Sequence, residues 1–112
     1  MAAPPDQLFL RVTVIGGDRL VDDYQVIWDG IRIGRILKAP GVPHAFPNWS
    51  WGVGFPHIPQ QPWQRGMESD LEEAKRRFKM AWGALHAKLT EVDVDKARIQ
   101  AADNARRWKD RS

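Results

Sequence analysis

Residues 24–38 read YQVIWDGIRIGRILK, and the Asp29-Gly30 pair at their centre decides the fold. A two-residue type I′ turn needs positive φ at both central positions, and Asp-Gly between two apolar runs supplies it. The stretch therefore reads as a hairpin of strands 24–28 and 31–37. With a two-residue loop Trp28 faces Ile31 and Val26 faces Ile33. These four share one side with Tyr24, while Gln25, Ile27, Arg32 and Gly34 share the other. Strict alternation would place Arg35 on the apolar side. Gly34 instead marks a bulge that turns Arg35 out and Ile36 in.

Upstream, LFLRVTVI (8–15) puts Leu8, Leu10, Val12 and Val14 on one side and Phe9, Arg11, Thr13 and Ile15 on the other, the period of a half-buried strand. Gly16-Gly17-Asp18 ends it, and residues 1–7 are expected to be disordered. Downstream, NWSWGVGF (48–55) is a further strand candidate. Trp49, Trp51, Val53 and Phe55 point to one face, and Ser50, Gly52 and Gly54 to the other. Its aromatics either seal the core or form an exposed platform. Pro56, Pro59 and Pro62 read as a stiff clasp that brings Trp63 back over the core, or as an edge of polyproline II for a partner.

From Ser69 the period changes. Ser69 and Glu72 have the spacing of a capping box, and Leu71, Ala74, Phe78, Ala81, Trp82, Leu85 and Leu89 form one apolar stripe. Gly83 inside that helix implies close packing on the Trp28 hairpin. Thr90 and Asp93 resemble a second helix start, and Val94, Ala97, Ala101, Ala105 and Trp108 form a second stripe. One long helix is the alternative, which would protrude and suggest a dimer. The reading is an α+β domain over 8–89, a three- to four-stranded antiparallel sheet packed on one face by a long amphipathic helix, with a C-terminal helix over 90–112, docked or dimer-forming.

The elements DGIRIGRI, WSWGVGF, Gly66 and SDLEEAKRRFKMAW resemble short uncharacterised bacterial proteins that carry a DG-x-x-x-GRI hairpin, a W-x-W strand and an S/T-x-x-EA-x-x-x-F helix. The resemblance runs from Tyr24 to Trp82. It implies a common small αβ unit and assigns no functional residue.

Composition bounds the function. The 112 residues suit one domain, and no apolar run is long enough for a membrane-spanning helix. The first residues lack a cationic start and an apolar core, so the cytoplasm is the expected compartment. Zero cysteines exclude disulfides, thiolate metal sites and cysteine nucleophiles. His44, His57 and His86 show no metal-ligand spacing, and no metal or cofactor is expected. Ser50, Ser69 and Ser112 include no nucleophile elbow. Asp22-Asp23 and Glu72-Glu73 are adjacent pairs, which do not face one another across a substrate. No small-molecule substrate or enzyme activity is indicated.

Two binding readings remain. In the first, the protein is a non-enzymatic interaction module that contacts a protein or a second copy of itself through Trp49, Trp51, Trp63 and Trp108. In the second, a small DNA-binding regulator, Arg11, Thr13, Gln25, Arg32 and Arg35 on the outward sheet face enter a major groove. Arg106, Arg107 and Lys109 then hold phosphates, which suits a net charge of +3.

Overall fold

The computed structural model describes residues 3–43 and 45–110, the last four of these by backbone only. Among the described residues the chain is α+β. Strands β1 Leu8–Ile15, β2 Asp18–Trp28, β3 Ile31–Lys38, β4 Trp49–Val53 and β5 Arg65–Glu68 precede helices α1 Leu71–His86 and α2 Glu91–Asp110, with a 3-10 turn at Pro62–Gln64. The five strands form one antiparallel sheet in sequence order, β1-β2-β3-β4-β5. The expected three or four strands thus become five.

The central hairpin forms as its turn chemistry dictates, with φ of 50° at Asp29 and 76° at Gly30. Trp28 pairs with Ile31, and the register then shifts, so that Ile27 opposes Arg32 and Val26 opposes Gly34. This is the bulge that the glycine implied. Beyond it Gln25 opposes Arg35 and Tyr24 opposes Ile36, which sends Arg35 outward and leaves Ile36 buried. Val26 therefore faces Gly34 rather than Ile33. The glycine is needed there, because a Cβ would lie 2.2 Å from the Gly52 carbonyl oxygen and 2.6 Å from the Phe78 ring.

A second turn of the same kind, with φ of 58° at Gly16 and 86° at Gly17, joins β1 to a β2 that begins at Asp18 instead of residue 24. Leu8–Val12 pair regularly with Tyr24–Trp28, and the ladder resumes at Val14↔Arg19 after β2 bulges outward. Asp22, at φ 54°, lies within that bulge.

The core lies between the inner sheet face and α1. Ala74, Phe78, Ala81, Trp82 and Leu85 of the apolar stripe are buried, and α1 covers β3, β4 and β5. Trp28 and Trp82 are fully buried with ring centroids 5.2 Å apart, and Phe55 stacks on Trp82 at 6.0 Å. A buried indole N–H needs an acceptor. Trp28 Nε1 donates to the Pro4 carbonyl at 3.0 Å, and Trp82 Nε1 donates to the Pro5 carbonyl at 2.9 Å. Residues 3–7 are thus held against the core, where disorder had been expected. Composition concealed this because the contact uses backbone carbonyls, which every residue has.

Both helix starts are capped. The cap of α1 is Asp70, not Ser69: its carboxylate accepts from the Glu73 N–H at 2.8 Å. An anionic acceptor at the positive helix end outcompetes a neutral hydroxyl one residue earlier. A second helix follows, with Thr90 and Asp93 bonded reciprocally at 2.9 and 3.2 Å as a capping box. Buried Ala97 and the Arg98–Asp29 ion pair dock α2 beside the central hairpin turn. Gly83 departs from its expected role. It is exposed, and a Cβ there would meet nothing within 4 Å.

Candidate functional site

Among the described residues the outer sheet face carries no helix, and pairing aligns one row of positions across all five strands. Arg11 opposes Gln25, Gln25 opposes Arg35, Arg35 opposes Gly52, and Gly52 opposes Arg65. Arg32 lies exposed in the neighbouring row, opposite Ile27. The structure therefore places Arg11, Gln25, Arg32 and Arg35 on one face, with Thr13 beside them, and adds Arg65 from the unforeseen β5.

These groups are partly engaged with one another. Arg11 Nη2 donates to Gln25 Oε1 at 2.8 Å. Asp23 is buried behind the row, where it accepts from Thr13 Oγ1 at 2.8 Å and from both Nε and Nη2 of Arg35, the former at 2.7 Å. The Arg35 guanidinium holds the Asp23 carboxyl below the usual carboxylate range, reinforced by the Thr13 hydroxyl and opposed by burial. In the sequence Asp23 stands out only as one of an adjacent carboxylate pair. Its signal was parity: it stands two residues before Gln25, on the same side of the strand. Thr13 is consequently a buried ligand of Asp23 rather than a group free to meet a base.

Five strands also change what the face can enter. Four interstrand spacings of about 4.8 Å span roughly 19 Å, against a major groove about 12 Å wide. The whole face cannot insert as a narrower sheet would. Of the basic tail, Arg106 is exposed and paired to Asp103 at 3.3 Å, while the side chains of Arg107 and Lys109 lie outside the described residues.

The tryptophans divide. Trp51 is buried, with its indole N–H donating to Glu68 at 2.9 Å and its ring against Phe78. Trp49 is half-buried against the core. Trp63 is exposed, with the Lys88 ammonium 5.1 Å above its ring, and the side chain of Trp108 lies outside the described residues. The proline loop is anchored by Gln64 instead: its buried amide donates to the Val53 carbonyl and accepts from the Gln61 N–H. The W-x-W strand is thus core, and its aromatics form no outward platform.

The exposed apolar surface lies elsewhere. Phe9, Leu10, Val12, Val14, Ile15 and Val21 are all exposed, Phe9 to 67 % and Val21 to 87 %, and all belong to the β1–β2 ribbon. Because α1 covers β3–β5 and reaches β2 only at its Trp28 end, the inner side of β1 from Leu10 to Val14 is open. A groove of about 430 Å³ runs there between Leu8, Leu10, Val26 and Ile36 on the sheet and Lys75 and Lys79 on α1. Sequence reading saw the alternation in β1 but assigned its even positions to the core, since alternation does not say how far a helix reaches.

Among the described residues the histidines do not converge. His86 packs edge-on against Trp28 and Trp82, His57 is exposed at φ 67°, and His44 lies outside the described residues. Among the described residues no three His, Asp or Glu side chains are grouped to hold a metal, and no helix is long and apolar enough to cross a membrane. Compared with known proteins, the chain matches no protein-family model, no curated protein and no solved structure.

Proposed function

We propose that the protein is a non-enzymatic, cytoplasmic interaction module whose docking element is the β1–β2 ribbon. The observation that carries this reading is the concentration of exposed apolar side chains on both faces of one hairpin, with Leu10, Val12 and Val14 left exposed on the inner side of β1. Exposed apolar side chains scattered singly need no explanation, whereas a contiguous group marks a contact surface. The test is site-specific photocrosslinking in cells. A photoreactive residue at Val21 or Val14 should give protein adducts, and one at exposed Met80 on α1 should give few. Equal yields at all three positions count against the ribbon.

A second reading is supported by the row Arg11–Gln25–Arg35–Gly52–Arg65. Here a nucleic acid lies across the outer face instead of taking the sheet into its groove, with Arg11, Arg32 and Arg65 on phosphates. Amide shifts at these residues on titration with duplex or single-stranded DNA should fade steeply with salt. An unchanged spectrum at low salt eliminates this reading.

A further inference from the structure

The two edges of the sheet are built differently. β5 is four residues long, Arg-Gly-Met-Glu, and so is short and charged as protected edges are. β1 is eight residues long, carries one charge, and has neither proline nor bulge of its own. Among the described residues no strand pairs with its outer side. Its free N–H and C=O groups are a template for another strand, and its side chains would present that strand with apolar contacts on both faces.

We infer that the strand on this edge is β1 of a second copy, paired antiparallel about a two-fold axis through Val12. This rests on the ribbon reading above and names its partner. A two-fold axis normal to the sheet must oppose residues of the same face, which leaves few registers. Centring on Arg11 stacks two guanidinium groups directly across the strands, a destabilising pair. Centring on Leu10 shortens the overlap to residues 8–12. Centring on Val12 pairs Phe9 with Ile15 and Leu10 with Val14. It also sets each Arg11 opposite the partner's Thr13, which holds the buried Asp23 carboxylate. Apolar groups then meet apolar groups on both faces, and a cation approaches an anion on each side of the axis. The open inner floors of the two ribbons join between the two α1 helices, and the sheet becomes continuous across both copies.

The absence of cysteine makes the register directly testable. Sedimentation over a concentration series should show twice the 12.8 kDa chain mass. Under mild oxidation V12C should form a disulfide-linked dimer, because directly opposed strand residues have Cα atoms about 4.5–5.5 Å apart, within disulfide reach. L10C and R11C should crosslink poorly. V12K, which sets two ammonium groups face to face, should weaken the dimer roughly tenfold or more. Unchanged tryptophan emission would show that it still folds. A chain that stays monomeric, or that crosslinks through position 10 or 11 in preference to 12, overturns the proposal. A monomer that still gives photo-adducts at Val21 overturns the dimer alone. A monomer that gives none overturns the ribbon reading as well.

Discussion

Single atoms decide several of these positions, and two glycines show opposite signs. Gly34 has no room for a methyl group, with a backbone oxygen and the Phe78 ring both well inside contact distance. Gly34→Ala should therefore destabilise by about 1–3 kcal/mol, as overpacking does. Gly83 is helical, exposed and open, so Gly83→Ala should stabilise by about 0.5–1 kcal/mol. Urea midpoints of the two variants, moving in opposite directions from wild type, check the pair. Asp23 supplies a pH test. Its pKa is lower folded than unfolded, so its stabilisation is complete above the unfolded value near 4 and is lost as pH falls through the folded one. Asp23→Asn should cost about 1 kcal/mol at neutral pH, a modest figure because solvent screens the half-exposed Arg35 guanidinium. The difference from wild type should close in acid. A gap that does not narrow at all as the solution is acidified would show that Asp23 acts by packing and not by charge.

Elements were legible where their signal was local. Asp29-Gly30 announced a hairpin, Gly34 announced its bulge, and Thr90 with Asp93 announced the second helix, because turn and cap chemistry is written in adjacent residues. Thr90→Ala should destabilise by about 1 kcal/mol, and amide exchange should rise in the first turn of α2 ahead of the rest. Uniform loosening of the whole chain would contradict this. β5 was illegible for a physical reason. Its two inward residues are Gly66, where a Cβ would lie 2.9 Å from the Trp51 indole nitrogen, and Glu68, which binds that ring's N–H. Both serve a tryptophan, so neither is apolar and the strand shows no alternation. The first half of β2 was missed because it runs past the end of the core, where nothing requires an apolar inward face. Of the candidate surface, the Arg11–Gln25–Arg35 row followed from register. The exposure of the ribbon did not, since it depends on where α1 stops.

At the scale of the molecule, each strand pairs with its neighbour in sequence, and the long-range contacts are those of the helices and of the N-terminal segment. The Trp82–Pro5 bond spans 77 residues. A sheet whose spatial order equals its chain order can zip from the central hairpin in either direction, with small loops to close at each step. The N-terminal segment can lock only after α1 has laid Trp82 on the sheet. Removing residues 1–6 should leave both buried indole N–H groups without their acceptors, at about 1–3 kcal/mol each. If that latch closes after the rate-limiting step, truncation should speed unfolding by the full equilibrium loss and barely change the refolding rate. Stopped-flow tryptophan fluorescence on the full and truncated chains separates the two limbs. The prolines at the head of the chain would then act as a late kinetic bolt, which sets how long the folded state lasts and not how quickly it is reached.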